Sequence, residues 1–359
     1  MAELADAHGS GPCEREFMGV QVPSSALRHK IRIQVVDAFH RQWFRVFIYQ
    51  KIGRYTYKLI YFIVNPAAGS GKAEAAVPII EEVVRGGNIN YSILRTSKPG
   101  DVERISGLID FGAAEAIVCV GGDGTVCEYV KLAIEHSIKY GVIPAGSAND
   151  MLLAIPGADI STEKFRSFED KIIYYAKKAL FGGDTVFIDA ISINRNKYFL
   201  NIGGTGIEIQ VLKDAIPFKK YFGGAAYFFS LMKNAITYKA GEMTVTVDGE
   251  AEKDVFLSIA VCNGSYYGGK MRIAPPAIIN DGKITLCKIK KMPKLKLATL
   301  FPAVKPGWHT HFKEVTYINC ESVILEYAGI KTINLDGNLI EYESPLTFEI
   351  LAGAVEFIV

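Results

Sequence analysis

The chain has no excess of charge of either sign, no paired cysteine motif and no long apolar run. Its 359 residues hold 40 Lys and Arg against 38 Asp and Glu, which argues against a dedicated nucleic-acid binder. The six cysteines, Cys13, Cys119, Cys127, Cys262, Cys287 and Cys320, form no C-x-x-C pair, and several lie in apolar strand-like runs. They read as reduced core residues of a cytosolic protein, with neither a disulfide nor a zinc framework. Mean hydropathy is +0.17, yet no uninterrupted apolar run reaches the ~18 residues that would suggest a spanning helix. Glu3, Asp6 and Glu14 stand where a secretory signal would carry its apolar segment. The expectation is a cytoplasmic protein that touches the inner face of a membrane transiently. Internal repeats and low-complexity tracts are absent.

Residues 1–57 show little periodicity. Gly19-Val20-Gln21-Val22-Pro23 back-translates to GGG-GTT-CAA-GTC-CC, which resembles the T-arm of a tRNA gene; Glu3 to Asp6 resembles a D-arm in the same way. Residues 1 to about 26 then read as a leucine-type tRNA gene translated from a start assigned too far upstream, with the true start near Lys58. The alternative is an ordinary unstructured N-terminus. Either way no chemistry is expected of residues 1–57.

Residues 58–185 alternate short apolar strands with helical spacing. Strands are expected at Lys58–Val64, Tyr91–Arg95, Ala116–Val120 and Gly141–Pro144, with helices at Ala73–Arg85, Asp101–Ile109 and Val126–His136. That alternation predicts a parallel sheet covered on both faces. Beyond Gly183 short alternating stretches dominate, and Asp248-Gly249 and Asp336-Gly337 are hairpin-turn pairs. Residues 186–359 therefore read as an antiparallel β-sandwich or barrel, interrupted by helical stretches at Tyr221–Tyr238 and Pro293–Pro302, with its last strands returning to the first domain.

The richest stretch is Val120-Gly121-Gly122-Asp123-Gly124-Thr125. A buried strand, a glycine turn and a helix start form a phosphate site, because the first helical amides lack internal partners. Asp123 adds a carboxylate where a phosphate-bound Mg²⁺ would sit. A plain glycine-rich turn is the competing reading. Gly69-Ser70-Gly71-Lys72 approaches a Walker A loop but fails it, since Ala67 stands close to where a first Gly is needed and Ala73 stands where a Ser or Thr is needed. The spacing of Gly121 to Gly124 also misses the dinucleotide fingerprint.

Three segments together carry a resemblance. Asn65-Pro66 with Gly69, Gly121 to Thr125 with Glu128, and Ile143-Pro144-Ala145-Gly146-Ser147-Ala148-Asn149-Asp150 resemble the diacylglycerol kinase catalytic family, which includes bacterial lipid kinases and sphingosine and ceramide kinases. Asn263-Gly264, Gly268-Gly269, Ala274-Pro275, Ala277 and Asn280-Asp281-Gly282 match the family's second domain. NAD kinases share the Gly-Gly-Asp-Gly-Thr loop, but Gly146 to Asp150 is similar to the lipid kinases.

The resemblance implies ATP bound between an α/β domain and a β-sandwich domain, and a membrane lipid, diacylglycerol first, as phosphate acceptor. It assigns Asn65, Thr96, Gly121, Gly122, Asp123, Gly124, Thr125, Glu128, Ser147 and Asn149 to the nucleotide or its loops. Asp123, Asp150 and Asn338 would serve the chemistry, although Asn149-Asp150 also reads as a helix cap. Asp281, with backbone carbonyls of Ile278 and Lys283, resembles the family's structural Mg²⁺ site; an Asp-Gly turn is the alternative. A homodimer is common among similar proteins.

One departure stands out. The family's Asp-Gly-Glu triplet, whose Glu is the proposed base, is here Asp336-Gly337-Asn338. Asn can orient a hydroxyl but cannot take its proton. Asp123, Glu341 or Glu343 would have to serve instead, or the activity is reduced. An NAD kinase-like enzyme and a weakened ATP- or lipid-binding protein are the alternative functions. Phe218 through Met232 is aromatic with flanking lysines and suits a helix that dips into a bilayer or packs on the sandwich. Lys288, Lys290, Lys291, Lys294 and Lys296 form a basic run that would face anionic lipid or simply solvent. His309 and His311 resemble a family histidine region, and the lack of nearby carboxylate or Cys partners argues against a metal there.

Overall fold

A computed structural model describes residues 59–87, 89–146, 149–158, 165–181, 184–218 and 225–359. The reading of residues 1–57 lies outside them, as does Ser147.

Four parallel strands build the first half. Leu59–Val64 (β1), Asn90–Arg95 (β2), Ala114–Gly121 (β3) and Lys139–Pro144 (β4) pair in the order β4-β3-β1-β2. Near-continuous burial of Ile60 to Val64 and of Ala116 to Gly121 reflects a sheet covered on both faces. Helices Lys72–Gly87 (α1) and Phe168–Phe181 (α4) pack together on one face, over Phe62, Val118 and Ile143. Helix Asp123–His136 (α3), with the short Val102–Ser106 (α2), covers the other face over Tyr61, Ile63 and Ile117.

The second half is antiparallel: Thr185–Ile193 (β5), Lys197–Phe199 (β6), Ile202–Gly206 (β7), Gly241–Val247 (β8), Glu250–Cys262 (β9), Ile284–Lys290 (β10), Val315–Cys320 (β11), Ser322–Glu326 (β12), Ile330–Leu335 (β13), Asn338–Glu343 (β14) and Leu346–Ile358 (β15). Alternating side chains of β5, β8, β9, β12, β13 and β15 enclose one interior around Phe256, Val323 and Phe348. Both Asp-Gly pairs form the expected hairpin turns, with Asp248 and Gly249 at φ 46° and 94°, and Asp336 and Gly337 at 47° and 95°. Helices Ile207–Ala215 (α5), Ala225–Thr237 (α6) and Lys294–Val304 (α7) lie over the outer face of β7, β9 and β10.

The two halves share one sheet. β15 pairs with β5 along most of its length, and its end joins β4 in parallel at Phe357 and Tyr140. The core beneath α3 accordingly takes Ile188, Ala190, Val355 and Phe357 from the second half.

Candidate active site

The site forms at the carboxyl ends of β1, β3 and β4, where open α/β sheets collect ligands. Gly121 O accepts the amides of Ala145 and Gly146, both at 2.9 Å, which joins the loops after β3 and β4. A Cβ on Gly146 would lie 2.3 Å from the Gly122 Cα, so only glycine permits this approach. Gly69 takes φ +60°, and a Cβ there would meet Ala145 O at 2.0 Å. The Gly69-Ser70-Gly71 segment, which fails as a Walker loop, is thus the third wall of a three-loop cradle.

Side chains tie the cradle together. Asn65 Nδ2 donates to Thr125 Oγ1 at 3.1 Å, while Asn65 Oδ1 accepts the Ala67 amide. Thr96 continues β2, its amide donating to Val64 O at 2.9 Å. Glu128 Oε1 accepts the amides of Gly100 and Asp101 at 2.6 and 3.2 Å, which orders the loop that follows Thr96. Asp101 is buried in that loop, and Arg104 followed by the Ser97 amide hold its carboxyl well below the usual range. Asn149 is buried in left-handed backbone at φ 57°; its Nδ2 donates to Gly146 O at 3.0 Å. Asn149 Oδ1 has no partner, a buried acceptor at the lip of the cradle that suits a ligand donor.

Asp123 opens α3, and its two oxygens accept the amides of Asp150 and Met151, both at 3.1 Å. Burial raises its pKa and the nearby Asp150 charge adds to the rise, while these amides oppose it. Asp150 is buried deeper and accepts the amides of Gly269 and Lys270 at 2.6 and 2.8 Å. Its place is that of a clamp between the α/β half and the loop before β10, with both oxygens already engaged.

The opposite wall comes from the β13–β14 hairpin. Asn338 Nδ2 donates to Gly124 O at 3.2 Å, across 214 residues of chain. Glu341 and Glu343 are exposed, and the strand pleat puts them on the face of β14 opposite Asn338 and Ile340. Neither shares the site's side of the sheet, so as candidate bases they are displaced. From the sequence Asp336 reads as a turn residue and as the first member of the family triplet. It is buried, and its carboxylate accepts the amides of Leu200, Asn201 and Ile202, locking the β6–β7 corner to the hairpin. Burial pushes its pKa up to about 7, with those amides opposing.

The remaining assignments sit elsewhere. Asp281 is exposed in the loop before β10, and its Oδ1 accepts the Lys283 amide at 3.0 Å. The Ile278 side chain is 55% exposed. Next to them Asp189, buried, takes the amides of Gly282 and Gly353 at 2.7 Å each and so fixes this loop. One carboxylate with flanking carbonyls fits Mg²⁺ only if water completes the shell. Among the described residues, no group of three or more His, Cys, Asp or Glu is placed to hold a metal ion. The basic run is largely neutralised: Lys288 pairs with Glu252, Lys290 with Glu252 and Asp254, and Lys296 with Glu314. Each finds a carboxylate on a neighbouring strand or turn, which sequence spacing does not show. His309 is buried against Ile273 O and Tyr317 OH, and burial lowers its pKa.

Comparison with known proteins agrees with this geometry. Residues 59–173 match the family described as "Diacylglycerol kinase catalytic domain", and residues 202–359 match the "YegS C-terminal NAD kinase beta sandwich-like domain". Residues 59–173 therefore belong to the diacylglycerol kinase catalytic-domain family. It is 24% identical over 281 residues to a protein named diacylglycerol kinase of Bacillus subtilis, covering 77% of this chain and 88% of that one. To a protein of Shewanella frigidimarina named "Probable lipid kinase YegS-like" it is 26% identical over 249 residues, 67% and 75% of the two chains. A crystal structure of a diacylglycerol kinase from Bacillus anthracis str. Sterne superposes with a TM-score of 0.64 at 21% identity, over 84% of this chain and 96% of that one. That likeness shows the fold.

Proposed function

We propose that this chain is an ATP- and Mg²⁺-dependent lipid kinase acting on the hydroxyl of a membrane lipid, with diacylglycerol as first substrate and phosphatidic acid as product. The observation that carries the reading is the three-loop cradle with Asp123 at its floor and Asn338 opposite. Cradle amides and the Asn65–Thr125 pair suit the phosphates of ATP. Mg²⁺ would meet the phosphates beside Asp123 and supply charge neutralisation. The lipid oxygen attacks the γ-phosphorus, the bond from that phosphorus to the ADP oxygen breaks, and the hydroxyl proton passes to Asp123. Asn338 orients the hydroxyl without taking the proton. A loose transition state needs little proton removal early, so an Asn here is compatible with turnover. The enzyme would work in the cytoplasm at the inner face of the membrane.

The test is purified full-length protein with labelled ATP and Mg²⁺, offered a total lipid extract in micelles and, separately, NAD. Label in the organic phase is expected, and mass spectrometry of the product names the lipid. Label on NAD alone overturns the lipid reading in favour of an NAD kinase-like enzyme, which the description of the C-terminal domain keeps in view. No label with ATP binding intact makes the chain a nucleotide- or lipid-binding protein.

A further inference from the structure

Helix α6 is inverted. Its inward residues include Ser230 and Asn234, both buried. Ser230 Oγ donates to Val211 O at 2.8 Å, and Asn234 Nδ2 donates to Ser230 O and to Asp214 Oδ2, each at 2.9 Å. Its outward residues include Phe229 (62% exposed), Met232 and Ile236 (62% exposed). Positions 229, 232 and 236 lie on one helical face, which in an ordinary surface helix would be the polar one.

The exposed apolar surface continues. α7 packs beside α6 and presents Leu295, 85% exposed; the Trp308–His311 turn packs on α7 and presents Trp308, 68% exposed. Phe218, after α5, is exposed as well. Of the nine exposed large hydrophobic residues among those described, six belong to this layer, so they form a patch and not a scatter. Its charge is one-sided. Residues 225–239 and 291–311 contain six lysines and no Asp or Glu. Lys239, Lys291, Lys294 and Lys305 are exposed. The nearby carboxylates of Asp214 and Glu314 are each engaged by a lysine, Lys233 and Lys296.

We propose that this layer is a docking surface for a bilayer containing anionic lipid. Phe229, Met232, Ile236, Leu295 and Trp308 would enter the boundary between headgroups and acyl chains, while the lysines would meet anionic headgroups. The proposal deepens the lipid-kinase reading, on which it rests for why the enzyme must reach a bilayer. A second copy fits less well, because a two-fold contact would set the same lysines against each other.

Trp308 provides the probe. The chain has two tryptophans, so Trp43→Phe in the full-length protein leaves one on the proposed surface. With vesicles of phosphatidylcholine and phosphatidylglycerol, Trp308 emission is expected to shift to the blue and the protein to float with the vesicles. Binding should fall with added salt and with pure phosphatidylcholine. Phe229→Glu with Ile236→Glu should weaken vesicle binding at least tenfold and leave transfer to a short-chain, water-soluble diacylglycerol without vesicles unchanged. No blue shift, or vesicle binding indifferent to both substitutions, overturns the proposal. So does a dimer in sedimentation that the substitutions dissociate. Vesicle binding with no labelled lipid in the micelle assay sinks the kinase reading and leaves the docking surface standing. Labelled lipid with unaltered vesicle binding does the reverse.

Discussion

Asn338 Nδ2 donates to Gly124 O, next to Asp123 in the chain, and in the proposed reading the proton-accepting role left by the missing carboxylate falls to Asp123. Asp123→Asn is expected to lower kcat at least 100-fold, the lower end of what a general base contributes, with ATP affinity changed far less. Adding Asn338→Glu to that variant should recover part of the rate, as measured with labelled ATP. If it recovers none, the family's base position has no function in this chain. Glu208 makes a second residue-scale case. Its Oε2 accepts a bond from Ser258 Oγ at 2.7 Å, and its Oε1 is buried without a partner. Burial raises its pKa from 4.5 to about 7. A carboxyl whose folded pKa is raised contributes its stability fully below the unfolded value and loses it as pH rises through the folded one. Glu208→Gln should therefore melt above the parent at pH 8, by the equivalent of about 1–3 kcal/mol, and match it near pH 4.5. A pH-independent difference between the two melting curves would exclude ionisation as the cause.

At the scale of elements, the cradle depends on loops whose backbones touch. Gly146→Ala would put a methyl group against the Gly122 backbone, which cannot yield as a flexible side chain would. Overpacking of this kind costs about 1–3 kcal/mol, and here the strain falls on the site. The expected result is a lower melting temperature together with weaker ATP binding by calorimetry. The control is Gly86→Ala, where an added Cβ meets nothing within 4 Å and the residue lies in helix α1; it should leave ATP binding unchanged. α6 shows the same lesson in reverse. Its apolar composition alone fitted either a core helix or a surface one, and only the bonds of Ser230 and Asn234 decide which face is turned inward.

At the scale of the whole molecule, β15 makes the two halves one cooperative body. Phe357 is 1% exposed and belongs to the core that joins β1, β3 and β4 to β5 and β15. Phe357→Ala should cost about 3–5 kcal/mol. Because that core serves both halves, residues 59–359 should lose α/β and β-sandwich structure in one transition, followed by circular dichroism and by Trp308 fluorescence. Two separated transitions would show that the halves unfold independently.

The sequence by itself determined the parallel α/β half, the antiparallel half and the phosphate-binding loops. Those features are local: apolar runs of strand length, helical spacing and glycines at strand ends act within a few residues. It also showed that Asn338 replaces a carboxylate. Only the tertiary structure decided what Asp150, Asp336 and the lysine run do, because their partners lie far along the chain. Asp150 reaches Gly269 and Lys270, Asp336 reaches residues 200–202, and Lys296 reaches Glu314. It decided the inversion of α6 for the same reason: which face of a helix is inside depends on what it packs against, and no spacing within the helix contains that.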